Sequence, residues 1–319
     1  MPDERTPRTA GATPGAPPAP DVSIVMVTMS NWTYLGPCLE SLAAMASPYA
    51  YEIIIVDNGS TDGTQDRLRA GYPHVRLIEN GRNLGLSRAT NQGIQAARGR
   101  HVLLLNDDTL VTGASLDALV TFLDGHPDAG AAGGRLLNED GSLQAGFNRF
   151  PTIGEEILIA TRVGAAIDGA YPSTGDAAAA RRVDWIGSAC LLIRRAAIEE
   201  VGLLDEEFFI YGDEVDLQFR LKRAGWHVYY LPDVSTIHFG GRSLNRWRRR
   251  RMVYRGKMLF YRKNYGFVRA GVLRIVLGGL TLAKLGCWAV TAVLPPRRDR
   301  ARRELQSNVE VLRLCVRLK

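Results

Sequence analysis

Cysteine is scarce in this chain. Cys38, Cys190, Cys287 and Cys315 are the only four among 319 residues, and no two stand close enough to form a CxxC pair. That spacing speaks against a zinc ribbon or a dithiol redox motif and reads as small buried thiols in a reducing compartment. The first twenty residues, "MPDERTPRTAGATPGAPPAP", lack the apolar centre of a secretion signal. Their Pro, Ala, Gly and Thr content predicts a disordered leader over 1–20. Acidic residues are nearly missing from the last quarter. Residues 242–319 hold 21 Lys and Arg against 3 Asp and Glu, a net of +18. Residues 1–241 hold the other 19 basic and 30 acidic groups, a net of −11. A basic tail on an acidic body points to a polyanionic surface as the tail's partner.

What is present is an alternation of apolar strands and amphipathic helices. "VSIVMVT" (22–28), "YEIIIVD" (51–57), "VRLIEN" (75–80) and "HVLLLN" (101–106) read as strands, the helices between them covering 34–45, 66–72 and 86–99. Near-continuous apolar strands separated by helices predict an α/β fold, a mostly parallel sheet with helices on both faces. Ligands of such sheets bind beyond the carboxyl ends of the strands. Thr28, Asp57-Asn58, Asn83 and Asn106-Asp107-Asp108 all fall at those ends. The middle is less regular. It holds a predicted hairpin at Asp140-Gly141, a flexible loop "YPSTGDAAAARR", and a return to strand in "VDWIGSACLLIRR" (183–195).

Adjacent carboxylates at the end of a core strand repel one another, and a cation relieves that repulsion. Asn106, Asp107 and Asp108 offer hard oxygen ligands suited to Mg2+ or Mn2+ bound to a diphosphate. Asp57, followed by "NGSTDGT", either closes a turn or accepts hydrogen bonds from a base or ribose. A second acidic cluster, Asp213, Glu214 and Asp216, opens a predicted helix behind Phe208, Phe209 and Tyr211. The macrodipole alone explains acids there, but one of them at a pocket edge is also placed to take a proton from a hydroxyl. His238 precedes Gly-Gly in "HFGGRS" and is a candidate metal or diphosphate contact.

The ordered set "VSIVMVT…CLESL", "IIIVDNGSTDGT", "NLGLSRATNQGI", "LLLNDDT", "WIGSACLLIRR", "FFIYGDEVDLQFR" and "HFGGRS" resembles family-two glycosyltransferases. More narrowly it is similar to the bacterial rhamnosyltransferase-like branch that builds cell-wall and surface polysaccharide. The resemblance covers residues 22–243. It implies a GT-A fold over 21–243, a nucleotide-diphosphate sugar donor and inverting transfer. It places Thr28 and Asp57 at the pyrimidine, and Asn83 and Arg88 by the nucleotide and sugar. Asn106 to Asp108 fall at the DxD position, with Asp108 as metal ligand and Asp107 nearer the ribose. Trp185, Gly187, Ser188 and Ala189 line the donor-sugar and acceptor side, and His238 joins the metal. The catalytic base falls on Glu214, with Asp213 as the alternative, because relatives commonly read Glu-Asp where this chain reads Asp-Glu. Relatives also commonly carry Asn where this chain has Ser30.

The tail, 244–319, interleaves Arg with Trp247, Tyr254, Phe260, Tyr261 and Tyr265. No recognised nucleic-acid module accompanies it, so no nucleic acid is expected as partner. "VLRIVLGGLTLAKLGCWAVTAVL" (272–294) is long enough to span a bilayer, but Arg274, Thr281, Lys284 and Thr291 fall on one stripe, which favours lying in the interface. The tail is therefore expected to hold the enzyme on an anionic membrane, at the cytoplasmic face of the plasma membrane. A glycan or polyprenyl-diphosphate-linked acceptor would meet it there. Two other readings compete. A nucleotidyltransferase of sugar phosphates usually has a Gly-rich basic loop after the first strand, which "TMSNWTYLG" does not supply. A non-catalytic nucleotide-binding scaffold would not need both acidic clusters.

Overall fold

The computed structural model describes residues 18–161, 179–240, 246–293 and 298–316. Most of the expected leader, the 171–178 part of the expected loop, the last three residues of "HFGGRS" and the 243/244 boundary lie outside the described residues.

Strands β1 (Val22–Thr28), β2 (Tyr51–Asp57), β3 (Arg76–Glu79) and β4 (His101–Leu105) alternate with helices α1 (Trp32–Ala43), α2 (Thr64–Gly71) and α3 (Leu86–Ala96). The four strands pair in parallel, with Val22 opposite both Tyr51 and His101. Strand periodicity sorts their side chains into two cores. Ile24, Met26, Ile53, Ile55 and Leu103 pack beneath Leu35, Leu39 and Leu42 of α1. Val25, Ile54, Val102 and Leu104 face the other way, toward Ile94 of α3.

After β4 come β5 (Thr109–Leu110), α4 (Gly113–Gly125), β6 (Ala129–Leu137), β7 (Phe147–Asn148) and α5 (Ile153–Thr161). The expected return to strand divides into β8 (Arg181–Val183), β9 (Trp185–Ile186) and β10 (Cys190–Arg194), followed by α6 (Arg195–Val201), α7 (Asp213–Arg223) and β11 (His227–His238). The sheet order is β3-β2-β1-β4-β10-β6-β11-β5, with β8 also on β11. Its first half is parallel as expected, but β10 runs antiparallel to both β4 and β6, so the whole is a mixed sheet. A strand buried on both faces reads as the same apolar run in either direction, which is why the pattern did not reveal the reversal.

The hairpin at Asp140-Gly141 forms: Gly141 takes φ +79°, and the Asn138 amide donates to the Ser142 carbonyl. Burial of the thiols holds for Cys38 and Cys190, pushed up to about 12 and about 11 by desolvation, but Cys287 is exposed.

The chain ends in α8 (Arg246–Asn264), α9 (Gly266–Thr291) and α10 (Arg298–Val316). α8 is no separate appendage. Its Met258, Phe260 and Tyr261 are buried with Phe150, Phe208 and Val215, and with Leu273 and Leu277 of α9. The expected polar stripe of α9 turns toward this bundle: Thr281 is buried, Arg274 and Lys284 half-buried. The outward face is apolar, with Val268 82%, Ile275 77% and Val290 74% exposed. α9 is long and apolar enough to cross a membrane.

Gly256 lets α8 approach the turn before α7: a Cβ there would overlap the Tyr211 carbonyl oxygen, a backbone atom that cannot swing aside. Gly256→Ala should therefore lower stability by about 1–3 kcal/mol. Thermal unfolding checks this, and an unchanged midpoint would mean that α8 is not clamped there.

Candidate active site

The carboxyl ends of β1 and β4 open on a cleft of about 580 Å³, within the range of small-molecule sites. Its position follows from strand register. β5 pairs with the end of β11, setting His238 opposite Thr109, and the Phe239 amide donates to the Asp108 carbonyl at 2.9 Å. Two segments 130 residues apart in the chain thus meet at one point.

There, His238 Nε2 lies 3.3 Å from Asp108 Oδ1 and 3.2 Å from Asn106 Nδ2. The opposite ring nitrogen, Nδ1, faces Gln144 Oε1 at 2.9 Å. The Gln144 amide nitrogen donates to the His238 and Asn138 oxygens at 2.5 and 2.8 Å, which assigns its oxygen to the ring. Nε2 and Asp108 Oδ1 thus face one point, an ion pair when the ring is protonated and, with the ring neutral, two candidate ligands for a hard divalent metal. Among the described residues, no group of three His, Cys, Asp or Glu gathers at one point. Any further ligands would come from substrate oxygens and water.

Asp107 lines the same wall and accepts from Asn31 Nδ2 at 2.9 Å. Desolvation pushes its carboxyl up to about 6; the charge of Asp108 adds to that and the Asn31 bond opposes it. Thr28 and Asn83 also line the cleft. Asn83 Oδ1 accepts from Asn58 Nδ2 at 3.2 Å and from the Gly85 amide at 2.8 Å, tying the end of β2 to the start of α3.

Trp185, Gly187, Ser188, Ala189 and Glu214 line the same cleft, Ala189 beside the end of β4, where its carbonyl accepts from the Asn106 amide at 3.0 Å. Glu214, on the first turn of α7, accepts from the Gly212 amide at 3.1 Å. Burial, and then the charge of Asp213, hold it well above the usual carboxylate range. Asp213 is turned away from the main cleft: it is 3% exposed, with Oδ2 3.0 Å from the Ser87 hydroxyl. Asp216 is structural, bound to Arg220 at 2.9 Å and Asn264 at 2.8 Å.

Two expected residues stand elsewhere. Arg88 does not line the cleft; it is exposed on α3 and its nearest acid is Glu206 at 3.6 Å, because its helical position points outward. Asp57 lies beneath the cleft wall. Its Oδ1 accepts from the Gly59 and Ser60 amides and from Gln65, which is the turn role weighed above. Its Oδ2 is fully buried and among the described residues has no hydrogen-bond partner. Ser30 takes φ +51°, a conformation Asn tolerates better, and its hydroxyl holds the Thr61 amide at 2.9 Å. The adjacent Asn31, not singled out from sequence, reaches Asp107 instead. Gln144 was also missed, whereas Asn58, at a strand end beside Asp57, and Tyr211, before the second acidic cluster, were named without a specific contact.

Because Asp107 is raised, the fold favours its protonated form, and ionising it costs stability above about pH 4, fully so above about pH 6. Asp107→Asn should therefore raise stability at pH 7.5 by about 3 kcal/mol, at about 1.4 kcal/mol per pH unit of displacement. The gain should fade at pH 4. Denaturant unfolding at the two pH values checks it, and equal midpoints at pH 7.5 would refute the strained carboxylate.

Residues 23–201 match the family described as Glycosyl transferase family 2. The N-acetylglucosaminyl-diphospho-decaprenol L-rhamnosyltransferase of Mycobacterium tuberculosis is 33% identical over 244 residues, covering 70% of this chain and 77% of the relative. A low-salt glycan biosynthesis hexosyltransferase of Haloferax volcanii is 23% identical over 222 residues, covering 68% and 67%. Among solved structures, a mannosyltransferase from Pyrobaculum calidifontis in complex with GDP-Man and Mn2+ has a TM-score of 0.54 at 14% identity, covering 96% of this chain and 89% of that one. Staphylococcus aureus TarS 1–349 in complex with UDP has a TM-score of 0.51 at 15% identity, covering 92% and 90%. At these identities the structural likeness speaks for the fold, which is GT-A-like. The family match over more than half of its length and the mycobacterial relative assign the chain: it belongs to glycosyl transferase family 2 and is a glycosyltransferase.

Proposed function

We propose that this glycosyltransferase is metal-dependent and inverting, and that it moves a deoxysugar such as rhamnose from a nucleotide-diphosphate donor to a polyprenyl-diphosphate-linked acceptor. The observation that carries the reading is one cleft lined by Asp107, Asp108 and His238 and also by the desolvated Glu214. The mycobacterial relative, named for a decaprenol-linked acceptor and a rhamnosyl product, supports the substrate class.

Glu214 takes the proton of the acceptor hydroxyl as that oxygen attacks the anomeric carbon. A carboxylate held above its ordinary range is, once ionised, a stronger base than one at its ordinary value, and burial supplies that here. Asp213, held behind it by Ser87, is the weaker candidate. Asp108 and His238 would hold Mg2+ or Mn2+, which when bound neutralises charge on the departing diphosphate. Asp107, nearer the ribose, and Asn83 position the donor, while Oδ2 of Asp57 accepts from the base. Trp185 and Ser188 face the transferred sugar and acceptor.

The enzyme works at the cytoplasmic face of the plasma membrane. The support is the outward apolar face of α9 within a region, 242–319, carrying a net charge of +18. Apolar burial in the headgroup boundary and attraction to anionic lipid act together on such a surface.

Glu214→Gln should lower transfer by about 10²–10⁴-fold with nucleotide affinity retained. Asp213→Asn should cost less, and the reverse ranking would move the base to Asp213. Asp108→Ala, or chelation of divalent ions, should abolish transfer; full activity without metal would refute the metal assignment. For the membrane, the double substitution Ile275→Asp, Leu282→Asp should release the protein from phosphatidylglycerol vesicles in sedimentation. Unchanged binding would remove α9 from the membrane contact.

A further inference from the structure

One wall of the cleft comes from the basic C-terminal region rather than from the strand ends. Arg249, Met252, Val253, Gly256, Lys257 and Phe260 line it, at spacings of three and four that place them on one face of α8. Their charges are not equally available. Lys257 Nζ is bound to the buried Glu156 carboxylate at 2.7 Å, so its charge is already matched. Arg250, next along the helix, is held by Glu304 at 2.7 Å. Arg249 is exposed, with its guanidinium carbon 5.8 Å from the centre of the Tyr211 ring, and among the described residues it pairs with no carboxylate.

The setting of Tyr211 makes this arrangement more than a chance surface contact. Tyr211 has φ +65°, a strained conformation for a bulky side chain, and Gly256 of α8 packs against its carbonyl. The same turn leads through Gly212 into Glu214. An uncommitted guanidinium is thus fixed on the Glu214 side of the cleft. The half-buried Met252 and Val253 follow it along the wall.

We propose that Arg249 and the adjoining Met252–Val253 surface form a subsite for a diphosphate carried on an apolar chain, distinct from the donor diphosphate position at Asp108 and His238. The planar guanidinium suits bidentate contact with phosphate oxygens, and the apolar residues beside it accept the first part of the chain. In a cleft also lined by Asp107, Asp108 and Glu214, this cation offsets the repulsion a second anionic substrate would meet. The inference rests on the proposed function and deepens it, naming the group by which the acceptor is held.

The test uses the full chain with Mn2+ and saturating deoxythymidine diphosphate, so that the donor position is filled. Farnesyl diphosphate is then titrated and followed calorimetrically. Arg249→Ala should weaken its binding by at least about tenfold, with Arg249→Lys between variant and wild type. Farnesol should bind both proteins alike, and inorganic pyrophosphate should compete less well than farnesyl diphosphate. The proposal is overturned if Arg249→Ala binds farnesyl diphosphate as wild type does, or if wild type does not bind it. It is equally overturned if pyrophosphate competes as well as the lipid, which would make the ligand a free phosphate compound. Loss of nucleotide binding in Arg249→Ala would instead assign the residue to the donor side. A wild-type chain that fails to bind the nucleotide sinks the parent reading; one that binds it, yet is indifferent at position 249, sinks this inference alone.

Discussion

Everything at the cleft depends on negative charge gathered where water is scarce. Asp107, Asp108 and Glu214 line one cavity, and burial raises both Asp107 and Glu214. Carboxylates so placed cost folding free energy, since each is better solvated in the unfolded chain. The surrounding structure holds them by hydrogen bonds rather than by matching them with cations. Asn31 donates to Asp107, and the Gly212 amide to Glu214. Lysine and arginine near the cleft are mostly committed elsewhere, Lys257 to Glu156 and Arg250 to Glu304. That leaves the acidic groups of the cleft largely unmatched by lysine or arginine, at some expense of stability.

The scaffold bearing that cost is unusually well tied. α7 begins at the turn that carries Glu214, and its Asp216 is locked to Arg220 and to Asn264 at the end of α8. α8 in turn presses Gly256 on Tyr211 and buries Phe260 and Tyr261 against Phe208 and Phe150. The basic C-terminal helices are therefore part of the wall of the site, joined through Leu273 and Leu277 to an α9 whose outer face is apolar. In this family-two glycosyltransferase a change in how α9 is seated would reach the cleft through one layer of packed side chains.

Much of the site could be read in advance because each strand end carried its own polar cluster. Thr28, Asn83, Asp107 and Asp108 needed only the rule that ligands bind beyond the carboxyl ends of parallel strands, whereas Glu214, on the first turn of α7, came from the acidic cluster and the resemblance. Arg88 sits outside the cleft because a motif position fixes where a residue sits on a helix, not which way a long side chain turns. One oxygen of Asp57 closes its turn, and the other is buried without a partner among the described residues. Gln144 was invisible. It follows an ordinary hairpin, and its importance exists only because His238 arrives beside it from 94 residues away.

Local apolar periodicity by itself determined the strands, the helices and the direction of β1 to β4, because burial on both faces and short crossovers leave few arrangements. It also determined that the C-terminal region would be basic and amphipathic. Tertiary structure alone decided that β10 would run backwards through the sheet, that His238 would meet Asp108, and that α8 would close the cleft with Arg249. Those outcomes turn on contacts between residues far apart in the chain, whose energies depend on the whole packed assembly and leave no mark on the nearby sequence.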